Sequence, residues 1–278
     1  MDPPIEITKH YKDTVELLFN KKEHSYTANG ELVDGTTTPL GIISKPGILY
    51  WAVDKTIEFL DKGWDINGDY DEITKADLLS EARFAHRRSL KTAANTGSLV
   101  HLWIERFIKA TLAGEKIPPL PKNEVARNSC KLFYAWYKKH NVKFIFSEKK
   151  ILSLKYKYAG TCDTAVEING KRFIGDVKTS SGIYPEMFLQ TGAYQIAHEE
   201  EFGDKWDGNI IIRCGQDGVL EIAGNVDHDG NKKGFLYALM LYRKIKQMEK
   251  EKKEFEKQNK GIEHASFLKL IGEMKEVN

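Results

Sequence analysis

Apolar and polar residues alternate with a period of two on both sides of Asn169-Gly170. Val166 and Ile168 precede this dipeptide, and Phe173 and Val177 follow it on the same alternating phase. Such a period places one apolar face against a core. Asn-Gly is the preferred pair for a two-residue turn with positive φ at both central positions, so the pattern predicts a β-hairpin. With that turn Ile168 faces Lys171, Glu167 faces Arg172 as an opposite-charge pair, and Asp163 faces Asp176. Lys178 then shares the face of Asp176.

The same period predicts short strands at 15–19, 24–27 and 31–33, a small peripheral meander, and strands at 142–154 and 155–158. A second hairpin follows at 209–214 and 219–223, around Gln216-Asp217-Gly218. Apolar residues spaced by three and four predict helices at 48–62, 74–92, 98–112, 124–140, 186–201 and 232–257. Thr96-Gly97 is read as the break between the second and third of these, and 63–72 and 114–121 as a polar loop and a Pro-rich connector. Interleaved strands and helices predict an α/β (mixed α+β) fold, with a central mixed sheet flanked by helices and N-terminal helical additions. The expected segments are 1–95, a meander and helical cap; 96–257, the main body; and 258–278, a charged tail.

Composition narrows the function classes. The chain has 278 residues, of which 41% are hydrophobic, enough for a full core. Its 42 basic and 40 acidic residues leave a net charge of +2, so a nucleic-acid partner would have to be met by local positive charge. Cys130, Cys162 and Cys214 are odd in number and scattered, with no C-x-x-C. That pattern fits a reducing, cytoplasmic setting without disulfides, structural zinc or an iron–sulfur cluster. No run approaches the length of a membrane span, and the N-terminus has no apolar signal region, so no membrane partner is expected.

The candidate chemistry centres on the first hairpin. Directly opposed carboxylates repel, and a divalent cation removes the conflict; carboxylates with water suit Mg²⁺ or Mn²⁺. His101 and Glu105 are four apart on a helix and share a face, which reads evenly as a metal ligand with its partner or as an ordinary helix surface. Glu148, on a strand, could project toward the same site or into solvent. Gln190 and Tyr194 share another helix face, with core packing as the plain reading of Tyr194. Arg83, Arg87 and Lys91, also four apart, could track a nucleic-acid backbone or form a solvated face. The hydroxyls of Thr36, Thr37 and Thr38 could cap a helix or bind phosphate.

Taken in order, His101, Gly160-x-x-Asp163, Asp176-Val177-Lys178 and Gln190-x-x-x-Tyr194 resemble the motifs of the PD-(D/E)xK nuclease superfamily, in particular its RecB-like exonuclease branch. TTTPLGIISKPGILYWA and AANTGSLVHLWIE look like its phage and mitochondrial genome maintenance members. The resemblance spans about Gly97–Gln195 and implies a restriction-endonuclease-like core. It implies Asp163, Asp176, His101 and the Val177 carbonyl as metal ligands, Lys178 as the catalytic lysine, and Gln190 with Tyr194 as DNA-contacting residues that steady the centre. The implied activity is Mg²⁺- or Mn²⁺-dependent exonucleolytic cleavage of DNA, single-stranded or with a free end, in repair, recombination or phage DNA metabolism. The alternatives are a structure-specific endonuclease on the same core and a non-catalytic DNA-binding protein with that fold.

Overall fold

A computed structural model of the chain describes residues 4–63, 72–225 and 227–258. Among these, nine strands join one mixed sheet. β1 (Ile5–His10), β2 (Val15–Asn20), β3 (Ser25–Ala28) and β4 (Glu31–Gly35) form an antiparallel meander. The main part of the sheet comprises β5 (Lys143–Ser153), β6 (Tyr158–Ile168), β7 (Lys171–Lys178), β8 (Gly208–Cys214) and β9 (Leu220–Asn225). The helices are α1 (Pro46–Gly63), α2 (Glu72–Arg83), α3 (Ala85–Ala113), α4 (Glu124–Lys139), α5 (Pro185–Phe202) and α6 (His228–Gln258), with a short 3₁₀ turn at Pro39–Ile42. No helix among the described residues is long and apolar enough to cross a membrane.

β6 organises the sheet. β5 pairs with it in antiparallel fashion from Tyr158 to Glu167 and so occupies one edge. The other edge is shared. β4 runs parallel to Tyr158 and Ala159, and β7 runs antiparallel to Thr164–Ile168. Residues 160–163 lie between these two partners with no ladder pairing on that edge, so the sheet opens there as a fork. β7 continues through a parallel pairing with β8, and β9 closes the far side.

The two faces bury different helices. α3 and α4 cover the face that carries Val166, Val177, Ile210 and Ile212, packing Phe107 and Phe133 against it. α5 and α6 cover Ala165 and Ile174 with Ala193, Tyr194, Phe235 and Leu239. The first hairpin has the register read from its turn, with Ile168 opposite Lys171 and Glu167 opposite Arg172. Asn169 and Gly170 adopt φ of 52° and 76°, the left-handed pair this turn requires. The ladder stops at Thr164 and Gly175, one step short of the two aspartates.

Four sequence-based expectations are corrected. Thr96-Gly97 does not break a helix: α3 runs through both residues, which are buried, and the break falls at Phe84 instead. Gly97 serves a close approach, since a Cβ there would lie 2.8 Å from Thr179 Oγ1. Arg83 therefore ends α2 while Arg87 and Lys91 begin α3, so the three form no single helix face. Arg83 and Arg87 both lie over the Phe84 ring, at 5.9 and 5.1 Å. Residues 154–157 form the turn between β5 and β6 rather than a strand, with Lys157 at φ 52°. Ile5–His10 is an additional strand; its apolar residues Ile5 and Ile7 are exposed, so no core-facing alternation marks it. Most of the polar loop expected over 63–72, and all but one residue of the tail expected over 258–278, lie outside the described residues.

Candidate active site

The fork in the sheet lets Asp163 be reached from both helical layers. Its Oδ2 accepts a hydrogen bond from the Val177 N–H at 3.0 Å, so the side chain takes the place of the next ladder bond. His101 comes from α3, with Nδ1 3.6 Å from the same oxygen. Glu148 comes from β5, where its neighbours pair as Ser147 with Thr164 and Lys149 with Cys162. This register sets Glu148 across from Asp163. Its own backbone is left-handed, φ 49°, and drops out of the ladder. Non-glycine residues held at positive φ concentrate at functional sites. His101, Glu148 and Asp163 each bring one ligand atom to within 4.8 Å of the others.

Asp176 and Lys178 complete the cluster from β7. Asp176 is fully buried and ion-paired with Lys178, yet neither of its oxygens receives a well-directed hydrogen bond. Lys178 Nζ donates to Gln190 Oε1 at 3.2 Å, and Gln190 Nε2 donates to the Tyr194 hydroxyl. Gln190 and Tyr194 thus act in line along α5, as their four-residue spacing requires. The Tyr194 ring is only 2% exposed and packs in the α5–α6 core. Burial overturns any reading of that ring as a stacking platform for a base; its hydroxyl alone faces the site.

Burial and charge set the protonation states. Burial, with Asp163 adding to it and Lys178 opposing it, lifts the Asp176 carboxyl to about 7. Burial, then Asp163 and Glu105, lifts Glu148 to about 8. For Lys178 burial works against the charged form, but Asp176 and Asp163 outweigh it and raise its pKa, so the ammonium persists at neutral pH.

These residues open into a cleft of about 790 Å³. Glu148, Asp163, Gln190 and Tyr194 line its inner end, with Glu105 and Lys109 from α3 beside them. Thr36 and Thr37 also line it. Thr38 makes no side-chain cap on the 3₁₀ turn that follows. Gly160 is required beneath this wall, because a Cβ there would lie 2.6 Å from Thr36 Oγ1. Arg83, Arg87 and Lys91 do not line the cleft, and among the described residues neither does α1 or α2. The opposite wall is the β1–β3 meander.

The donor set fits a hard divalent cation. It offers carboxylate oxygens and one imidazole, with no thiolate, and Asp176 presents buried oxygens short of hydrogen bonds. The geometric trio holds Glu148 where sequence reasoning favoured Asp176, which instead lies against Asp163 and pairs with Lys178. The signal for Glu148 was its strand position alone, and that acquires meaning only once β5 is in register with β6.

The raised carboxyls imply a pH dependence of stability. Between its unfolded and folded pKa values each acid is protonated only when folded, so stability is greatest at low pH and falls as pH rises. For Asp176 this window runs from 3.8 to about 7, and for Glu148 from 4.5 to about 8. A divalent cation favours the ionised acids and offsets the loss. In EDTA the thermal midpoint is expected to decline from pH 5 to pH 8, and added Mn²⁺ to raise it more at pH 8 than at pH 5. A Mn²⁺ shift equal at both pH values would contradict this site.

No family model and no curated protein matches the chain. Solved structures do match, among them SSO0001, at 15% identity over 51% of this chain and 74% of that one, with a TM-score of 0.26. A likeness that loose carries no argument about fold or function.

Proposed function

We propose that this protein is a metal-dependent deoxyribonuclease with a PD-(D/E)xK-type core, acting as an exonuclease on a free or single-stranded DNA end. One observation carries the reading: Asp163 sits in the fork between β4 and β7, with His101 and Glu148 around it and the buried Asp176–Lys178 pair behind. Opposed acids with an adjacent lysine have no stabilising purpose of their own. They suit a centre that gathers positive charge around a phosphate.

His101, Glu148, Asp163 and Asp176, with the Val177 carbonyl, would hold one or two Mg²⁺ or Mn²⁺ ions. The bound metal would supply Lewis acidity toward the phosphate and a water of lowered pKa. Lys178 keeps its proton and places a fixed positive charge where negative charge develops on the phosphorane oxygens. Gln190 orients that ammonium and is itself held by the Tyr194 hydroxyl. Thr37 offers a hydroxyl to a phosphate entering the cleft.

End-labelled linear and closed circular single-stranded DNA, each incubated with Mg²⁺, Mn²⁺ or EDTA, test the reading. Linear strands are expected to be degraded with metal, circles to survive, and EDTA to stop the reaction. Cutting in EDTA would contradict the metal chemistry. Loss of the circles would favour an endonuclease, and binding without cutting in either metal a non-catalytic DNA-binding protein.

A further inference from the structure

Beyond the cleft lies a second cavity, of about 550 Å³, lined in part by Thr8, Lys9, Lys12, Lys149, Lys150 and Phe202. The two cavities share Thr8 and Lys150, so they abut along β1 and β5. Four lysines line the second one, against the acids Asp13 and Glu201. Glu201 is already engaged, accepting from the Tyr11 N–H and pairing with His10 at 2.8 Å. Lys9 and Lys12 are exposed, and neither joins an ion pair among the described residues. A chain of nearly balanced overall charge therefore concentrates cationic groups beside the acidic centre. Aromatic rings accompany them: the ammonium of Lys150 lies 4.6 Å from the Phe19 ring centre and that of Lys149 3.7 Å from Phe202.

The turn that presents Lys12 is unusual in itself. Tyr11, Lys12 and Asp13 have φ of 50°, 56° and 66°, three consecutive non-glycine residues in the left-handed region. Such strain persists only when its surroundings impose it. Here the Tyr11 hydroxyl donates to Leu152 O at 3.0 Å and to Glu200 at 2.7 Å, and Ser153 donates to the same Glu200. The turn is thereby fixed to α5, the helix that carries Gln190 and Tyr194.

We infer that β1, its turn and β5 form a backbone track for a single nucleic-acid strand, with Lys150 at the junction with the cleft and Lys9 and Lys12 holding phosphates beyond it. Lysines on phosphates give affinity without sequence preference, and rings beside them suit unpaired bases. The inference rests on the nuclease reading for its direction, and its test separates the two. Binding of single strands of about 5 and about 20 nucleotides, lengths either side of a typical single-strand site, is measured in EDTA over a range of salt. Cleavage of both is measured in Mg²⁺ and Mn²⁺. The Lys9→Gln/Lys12→Asn variant keeps polar side chains, and asparagine tolerates the left-handed backbone. It is expected to bind the longer strand about tenfold more weakly, with a salt slope smaller by about 1.4 for two lost contacts. Binding and cleavage of the short strand are expected to stay as in the wild type. An unchanged affinity and slope for the longer strand, or no binding of it by the wild type at low salt, would overturn the track. If no strand is cut in either metal while the salt-sensitive loss persists, the track stands and the nuclease reading falls.

Discussion

Asp163→Asn is expected to lower metal-dependent cleavage by about 10³-fold while leaving the protein folded. A metal supplies several kcal/mol to the transition state of phosphate hydrolysis, and about 1.4 kcal/mol is tenfold in rate. Asp163 is the residue on which the arrangement converges: His101 and Glu148 meet at it, and Asp176 lies against it. Asparagine keeps an oxygen for the Val177 N–H, so the bond that terminates the hairpin survives. Its neutral amide gives up the charge that would bind the cation. Cleavage rates over a Mn²⁺ series, with circular dichroism to check the fold, measure the effect. A folded variant that cuts at the wild-type rate would remove Asp163 from the chemistry.

The second large effect is expected at Lys178, on both activity and stability. Lys178→Met leaves the Asp176 carboxyl buried without its partner. Breaking a buried pair in this way costs about 3–5 kcal/mol, whereas replacing both partners by apolar residues is often neutral. Lys178 holds the Asp176 pKa down against burial, so in the variant that pKa rises above about 7. A raised carboxyl contributes its stability at low pH and loses it as pH climbs. The variant is therefore expected to be more strongly destabilised at pH 8 than at pH 5. Asp176→Leu/Lys178→Met is expected to regain most of the stability and none of the activity. Urea unfolding at the two pH values, paired with cleavage assays, separates the roles. Equal destabilisation at both pH values would show that Lys178 does not restrain the Asp176 carboxyl.

The features readable in the sequence were those set by local chemistry. Asn169-Gly170 dictates a turn geometry, and with Glu167 opposite Arg172 it determines the hairpin register whatever the rest of the chain does. Val166, Ile168, Phe173 and Val177 alternate because one face meets α3 and α4. The four-residue spacing of Gln190 and Tyr194 likewise carried directly into a hydrogen bond. Features set by distant contacts were less legible. Gly97 looked like a helix breaker because its reason for being glycine is Thr179, more than eighty residues away. Tyr156 and Tyr158 suggested a strand, but the chain must reverse between β5 and β6. Glu148 gains its place from the pairing of β5 with β6, shifted by an irregularity between Phe144 and Phe146. The cleft wall supplied by the meander depends on β4 joining β6 through only Tyr158 and Ala159, a contact that no local pattern encodes.

The most direct test of the metal centre is an anomalous-scattering map from crystals of the protein grown with Mn²⁺. The expected result is a peak within coordination distance of His101, Glu148 and Asp163, bordered by Asp176, and lost in Asp163→Asn crystals. A map with full Mn²⁺ occupancy elsewhere on the molecule and no peak at Asp163 would contradict it.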